Sequence, residues 1–207
     1  RAQGQGKKQE ILGMQVQRKK EIISGANLEA KKIIARYPEG RQASAVLPLL
    51  DLAQRQNGGW LSQAAMEHVA KLLKMAKIRV LEIATFYTMY RLNPVGEFVV
   101  QVCTTTPCAL RGCKEVLNAC KEELEIEVGG TTSDNKFTLF EVECLGACVN
   151  APMMQVNDDY YEDLNPVRAK AVLSALRKGK ATKSGPQSDR KGSEPASGLT
   201  SLTFGST

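Results

Sequence analysis

Cys103, Cys108, Cys144 and Cys148 are the residues of this chain best equipped for chemistry. They form two short clusters, Cys103-Thr-Thr-Thr-Pro-Cys108 and Cys144-Leu-Gly-Ala-Cys148, with 35 residues between them. Four residues separate the first pair and three the second, and neither gap holds a basic side chain. Thiolate is a soft anionic ligand, and an all-cysteine [2Fe–2S] centre needs four of them, often two per iron. Pairs at these spacings can each clasp one iron, so the spacing points to a [2Fe–2S] protein. Zinc also accepts four thiolates, although structural zinc pairs more often use a two-residue gap on a tight knuckle. Thiol-redox chemistry favours Cys-x-x-Cys, which is absent. A chain of 207 residues builds its own core and does not need disulfides. Zinc and structural thiols stay open on spacing alone. A Rieske centre is excluded, because it needs two histidines and His68 is the only one.

Two further cysteines must be sorted from these four. Cys113 and Cys120 lie seven apart on the helix expected after Cys108, on a face with Val116, Leu117 and Leu124. That is a core stripe, in which a free cysteine behaves as a small hydrophobe. Cys113, five positions from Cys108, is the one rival ligand.

The elements that position these residues follow from periodicity. Glu97-Phe-Val-Val-Gln-Val-Cys103 is apolar and β-branched, a buried strand ending at the first ligand. Thr106-Pro107 reads as an N-cap with proline at the first helical position, opening a helix to roughly Glu123. The helix N-terminus should favour thiolate at Cys108. Thr104, Thr105 and Thr106 offer hydroxyl donors, and Gly146 allows close backbone approach. Short strands are expected at 124–128, 137–143, 153–157 and 160–164, with a turn at Asn157-Asp158-Asp159. Asn165-Pro166 opens a closing amphipathic helix bearing Val167, Ala171, Val172, Ala175 and Leu176. Both cysteine pairs therefore leave strand ends in a small α/β sandwich of the thioredoxin-like kind.

Upstream, helical patterns recur over 28–37 (capped by Asn27, stopped by Pro38), 43–56 (ended by Gly58-Gly59), after Ser62, and over 79–91. Val80, Ile83, Phe86, Tyr87 and Tyr90 crowd the last of these, which is expected to be buried. The fold class is α+β. A flexible basic arm at 1–26 precedes a helical bundle at 27–94, a thioredoxin-like ferredoxin domain at 95–179 and an extended tail at 180–207.

Charge is concentrated in the two arms. Residues 1–36 carry nine Lys/Arg and three acids, residues 177–207 six and two, leaving 13 bases and 17 acids between. Basic arms can track nucleic acid, but no stacking platform or recognition helix accompanies them, so they are read as tails that dress a partner surface. Hydrophobic content is 43%, and no apolar run is long enough to span a bilayer. Arg1 in the place of methionine reads as a processed or trimmed form, with any targeting segment largely gone.

Longer motifs carry a resemblance. Val102-Cys-Thr-Thr-Thr-Pro-Cys108, Glu141-Val-Glu-Cys-Leu-Gly-Ala-Cys-Val-Asn-Ala-Pro152 and Tyr160-Tyr-Glu-Asp-Leu164 closely resemble the small [2Fe–2S] flavoprotein-fraction subunit of respiratory NADH:ubiquinone oxidoreductase, complex I. Val46-Leu-Pro-Leu-Leu-Asp-Leu-Ala-Gln-Arg-Gln56 and Glu82-Ile-Ala-Thr-Phe-Tyr-Thr-Met-Tyr90 look like its N-terminal domain, and Glu194-Pro-Ala-Ser-Gly-Leu-Thr-Ser-Leu-Thr203 like the mitochondrial extension. The resemblance covers about 27–180 and leaves 1–26 unmatched. It implies one [2Fe–2S] cluster on Cys103, Cys108, Cys144 and Cys148, no catalysis by the chain alone, and a place on the matrix side of the mitochondrial inner membrane. It also implies a larger partner subunit holding FMN, NADH and a [4Fe–4S] cluster, among other peripheral-arm subunits. NAD-linked formate dehydrogenases and hydrogenases contain similar cluster subunits. The chain itself has no Gly-x-Gly-x-x-Gly or P-loop pattern, so neither NADH nor flavin is expected on it. Leu199, Leu202 and Phe204 at the tip of the tail are expected to anchor it on the larger flavoprotein. On that expectation, truncation after Gly179 spares the cluster.

Overall fold

A computed structural model describes residues 28–195, 197, 198 and 201. Asn27, the arm before it and the tail anchors Leu199, Leu202 and Phe204 lie outside the described residues. The chain divides into two compact units, the first ending at Pro94 and the second beginning at Val95.

The first unit is helical. Helix α1 runs over 28–34, a short 3-10 turn occupies Gln42–Ala45, and α2 (Val46–Gln56), α3 (Gln63–Leu72) and α4 (Lys77–Phe86) follow. Pro48 falls in the first turn of α2, where its missing N–H leaves no helical bond unmade. Gly58 and Gly59 both take positive φ after α2, and the Gly59 N–H closes back on the Gln54 carbonyl at 2.9 Å. Ser62 caps α3 as expected, its hydroxyl accepting from the Ala65 N–H at 3.3 Å. Ile33, Leu49, Leu50, Leu61, Val69, Val80 and Ala84 form the core. Each contributes about 1–3 kcal/mol by leaving water.

Helix α4 departs from expectation at both ends. It begins at Lys77 and stops at Phe86, and Tyr87 is already extended. The cause is the buried amide of Gln54. Its Nε2 donates to the Met89 carbonyl at 3.0 Å and its Oε1 accepts from the Arg91 N–H at 2.8 Å, holding 89–91 in a turn outside the helix. Tyr90 is buried and donates to the Leu47 carbonyl at 2.9 Å. The helix is not buried all round: Val80 and Ala84 face the core, while Phe86 is 78% and Tyr87 41% exposed within this unit.

The second unit is a five-stranded mixed sheet in the order β2-β1-β3-β4-β5. Its strands are β1 (Phe98–Cys103), β2 (Phe137–Val142), β3 (Met154–Val156), β4 (Asp159–Glu162) and β5 (Gly185–Pro186). β1 pairs parallel with β2 and antiparallel with β3, β3 pairs antiparallel with β4, and β4 parallel with β5. Helices α5 (Thr106–Leu110), α6 (Cys113–Leu124) and α7 (Pro166–Arg177) complete the unit. Val100, Val102, Phe137, Leu139, Met154 and Val156 of the sheet pack with Val116, Cys120 and Leu124 of α6 and Ala169, Val172 and Leu173 of α7. Asn165 caps α7 by accepting from the Arg168 N–H at 2.8 Å, with Pro166 opening the helix.

Three local expectations are corrected. The helix after Cys103 is two helices, broken at Gly112, whose φ of +91° no other residue adopts without strain. Thr105 rather than Thr106 stands at the cap position of α5, with no side-chain capping bond. Residues 124–128 form no strand: Leu124 ends α6, and Glu125 turns left-handed at φ +57°. The alternation of Glu and apolar residues there mimics a strand, but the helix end reverses the chain first.

The tail turns back on its own unit. Residues Gly185–Pro186 add the edge strand β5 beside Tyr161 and Glu162, and the Tyr161 and Thr182 hydroxyls share a 2.6 Å hydrogen bond. Among the described residues no helix is long and apolar enough to cross a membrane.

Candidate metal centre

Both cysteine pairs leave the C-terminal ends of neighbouring parallel strands. In the β1–β2 register Cys103 lies opposite Val142, and Cys144 follows two residues later. Cys108 sits in α5, the five-residue helix directly after β1, and Cys148 opens a short 3-10 turn at Cys148–Asn150. The sheet thus delivers four thiols to one edge, two from each side.

The first pair is enclosed. Cys103 and Cys108 are buried with Cys113, Ala151 and Met153, beside Leu145, Ala147 and Tyr160. The second pair is exposed, its sulfurs 3.4 Å apart, and the Gly146 N–H points at Cys144 Sγ at 3.4 Å. Gly146 has φ +86°, and a Cβ there would meet nothing within 4 Å. The positive φ of this turn by itself favours glycine. Thr105 ties the pairs together, its hydroxyl lying 3.3 Å from Cys103 Sγ and also reaching Cys144. The Leu145 N–H of the second loop in turn faces the Cys103 sulfur. Of the other threonines, Thr104 donates to Glu141 Oε1 at 2.8 Å instead. Tyr160 steadies the second loop, donating to the Leu145 carbonyl at 2.6 Å.

Each pair holds one thiol inclined to ionise and one that resists. Burial opposes ionisation of Cys103, but the Thr105 hydroxyl and N–H, the Cys108 thiol and the Leu145 N–H outweigh it, and its pKa is lowered. Cys108 is pushed up to about 12 by burial and by its neighbour Cys103. The expectation of a thiolate at Cys108 is thereby reversed. A five-residue helix supplies little dipole, and Cys103 takes the available donors. In the second pair the Gly146 N–H and the Cys148 thiol lower Cys144, and Cys144 in turn raises Cys148.

Cys120 is buried in the core between α6 and the sheet and raised to about 12 by burial, as a structural thiol should be. Cys113 is placed differently. It packs with Cys103 and Cys108 rather than with Val116, on the rim of the centre.

The donor set fits a binuclear cluster. Among the described residues no three His, Cys, Asp or Glu side chains converge on a single point. The thiols stand instead as two pairs, with backbone N–H groups of Leu145 and Gly146 and the Thr105 hydroxyl directed at their sulfurs. Such donors stabilise the charge of a thiolate-bound cluster.

The family profile of thioredoxin-like [2Fe–2S] ferredoxins matches residues 30–177. The chain belongs to this family. It is 54% identical over 175 residues to the mitochondrial NADH dehydrogenase (ubiquinone) flavoprotein 2 of Dictyostelium discoideum, covering 84% of this chain and 71% of that one. It is 57% identical over 148 residues to a subunit of the NADH-quinone oxidoreductase of Rickettsia bellii, covering 72% of this chain and 89% of the bacterial one. The resemblance to the small flavoprotein-fraction component of complex I is borne out, and the chain's relatives are subunits of NADH-oxidising oxidoreductases. Among solved structures, an NAD+-reducing [NiFe]-hydrogenase superposes with TM-score 0.55 at 18% identity, over 63% of this chain and 23% of the hydrogenase chain. At that identity the likeness shows the fold alone.

Sequence reasoning missed the contribution of Asp163 and of Arg190 in the tail. Arg190 donates to the Asp163 carboxylate through Nε at 2.7 Å and through Nη2, and to the Val149 carbonyl at 2.8 Å, one residue beyond Cys148. No local pattern signals a partner 27 residues away in a Ser/Gly/Pro-rich segment. Tyr160 and Asp163 both fall in a motif that carries the resemblance, the only signal that could have marked them.

Proposed function

We propose that Cys103, Cys108, Cys144 and Cys148 hold one [2Fe–2S] cluster, two thiolates to each iron, in an electron-transfer subunit of the NADH dehydrogenase module of complex I. The observation that carries this reading is the pairing of the four thiols at the ends of two parallel strands in register. Its family and its relatives support the same assignment. When bound, such a cluster supplies a one-electron store.

The chain's own residues prepare that site. The lowered pKa values of Cys103 and Cys144 ease deprotonation of one thiol in each pair, the form that would bind iron. Gly146, Leu145 and Thr105 then direct hydrogen bonds at the sulfurs, and Met153, Ala151 and Tyr160 wall the buried side from water. Burial and hydrogen bonding are the two means by which a protein sets a cluster's potential. The exposed second pair gives electrons a short way in and out.

On this reading the electron source is FMN on a larger flavoprotein partner, which takes hydride from NADH, and the assembly lies on the matrix side of the mitochondrial inner membrane. The test is reduction by NADH under anaerobic conditions. The full chain alone should remain oxidised, and the chain joined to the flavin-bearing partner should show the paramagnetic signal of a reduced [2Fe–2S] cluster. Reduction of the isolated chain by NADH, or no signal in the assembled pair, contradicts the proposal.

A further inference from the structure

The segment after Cys148 is held by an uncommon set of polar contacts. The side chains of Cys148 and Val149 are exposed, Val149 by 68%, so apolar packing does not hold these two residues, although Ala151 and Met153 beyond them are buried. Hydrogen bonds hold the turn. The Asp163 N–H donates to the Asn150 carbonyl at 2.8 Å and the Leu164 N–H to the Pro152 carbonyl at 2.9 Å, hanging 150–152 on the end of β4. Asp163 itself is left-handed, at φ +53°.

The tail closes this arrangement from the other side. Arg190 pairs with Asp163 in a largely enclosed ion pair, the two side chains 16% and 12% exposed. Ser188 Oγ donates to the same carboxylate at 2.7 Å, and Arg190 Nη1 donates to the Glu194 carbonyl at 3.1 Å. From that anchored position Arg190 Nη2 reaches the Val149 carbonyl at 2.8 Å. Asn150, 1% exposed, donates from Nδ2 to the Gly192 carbonyl at 2.8 Å. One guanidinium thus serves Asp163, Glu194 and Val149 at once, a task for its rigid fork of donors.

We propose that residues 188–194 are a strap, with Arg190 as its positioning residue, that fixes the loop carrying Cys148 and thereby retains the [2Fe–2S] cluster. The inference rests on the cluster assignment above and adds a part of the chain that none of the ligand motifs includes. Truncation after Gly179 then destabilises the cluster, where the bare sequence led to the opposite expectation. The physical reason is that Ala151 and Met153 anchor only the far end of this loop, so its exposed turn at Cys148 and Val149 is only as rigid as its hydrogen bonds.

The experiment uses the full chain purified anaerobically with its cluster, as wild type, Arg190→Ala, Arg190→Lys and Thr182→Val. Cluster release into a chelator is followed by visible absorption, the reduced signal by electron paramagnetic resonance, and hydrogen exchange over 147–153 by mass spectrometry of the cluster-free protein. Loss of an outer-shell partner commonly weakens metal binding by about 10–100-fold. Arg190→Ala should release its cluster at least about tenfold faster, with a shifted or broadened signal and faster exchange over 147–153. Arg190→Lys, which keeps the charge but not the fork, should fall between, and it keeps the test open if the alanine variant does not accumulate. Thr182→Val breaks a tail contact away from the loop and should match wild type. Wild-type release, signal and exchange in both Arg190 variants overturn the strap. A wild-type protein that carries no cluster overturns the assignment beneath it instead, and exchange over 147–153 still reads the strap by itself.

Discussion

Gly96, two residues before β1, offers a sharp test of how the sheet holds the two cysteine pairs in register. A Cβ at this position would lie 2.8 Å from the carbonyl carbon and oxygen of Lys136 and 2.8 Å from the Phe137 nitrogen. All three are backbone atoms, so no side chain can swing aside. The φ of Gly96 lies outside the left-handed region, and the cost of a methyl there is therefore spatial. Relief must come from moving the start of β2, where Phe98 N donates to the Lys136 carbonyl at 2.7 Å and Gly96 N to Thr138 Oγ1 at 2.7 Å. Overpacking costs about 1–3 kcal/mol and a lost hydrogen bond about 1 kcal/mol, so Gly96→Ala should lose about 2–4 kcal/mol. In a unit of this size each kcal/mol lowers Tm by about 4 °C, giving a fall of about 8–16 °C. Calorimetry of the full chain measures it directly. Because β1 and β2 end at Cys103 and just before Cys144, the cluster-loaded variant should also release iron faster. A Tm within about 2 °C of wild type would refute the reasoning.

Serine at any of Cys103, Cys108, Cys144 or Cys148 should abolish or strongly alter the cluster's visible spectrum, since a hard oxygen replaces a soft thiolate. A wild-type spectrum in two of the four sinks the ligand assignment. Cys113→Ser and Cys120→Ser should keep the cluster at a packing cost of about 1 kcal/mol, and loss of iron from Cys113→Ser would make that rim thiol a ligand. In the cluster-free protein near neutral pH, iodoacetamide should modify Cys144 first, since it is exposed and its pKa is lowered. Peptide mass spectrometry finding buried Cys108, raised to about 12, modified earlier would overturn that order. Burial opposes ionisation of Asp163, yet Arg190 and Ser188 hold its carboxyl below the ordinary value of 3.8. Its stabilisation is therefore complete above that value and lost as pH falls through the lowered one. The Tm advantage of wild type over Asp163→Asn should follow this course, and an advantage that persists in strong acid would exclude the ion pair as its source.

Much of the site was legible because its signals are local. The apolar run before Cys103 reads as a strand, Ser62 and Asn165 cap the helices that follow them, and both cysteine pairs leave strand ends as expected. What escaped reading depends on contacts distant in sequence. Buried Gln54 terminates α4 by claiming the backbone at Met89 and Arg91, so an apolar periodicity that continues through Tyr90 overstates the helix. The break at Gly112 was available as a glycine but is masked by the stripe of Cys113, Val116 and Cys120 that follows. The division of thiol and thiolate within each pair turns on which sulfur meets Thr105, Leu145 and Gly146, and that depends on the loop geometry. Arg190 and Asp163 are a charged pair whose members read from sequence as part of a tail and of a strand, yet they close over the loop after Cys148.

The central claim is that four thiolates in two pairs hold one binuclear cluster. Its most direct test is Mössbauer and electron paramagnetic resonance spectroscopy of the anaerobically purified full chain, with iron and sulfide counted on the same sample. The account predicts about two irons and two sulfides per chain, a diamagnetic oxidised state, and a single S = ½ signal after uptake of one electron. A colourless protein carrying one zinc, or an iron protein with a mononuclear signal and no labile sulfide, would contradict it.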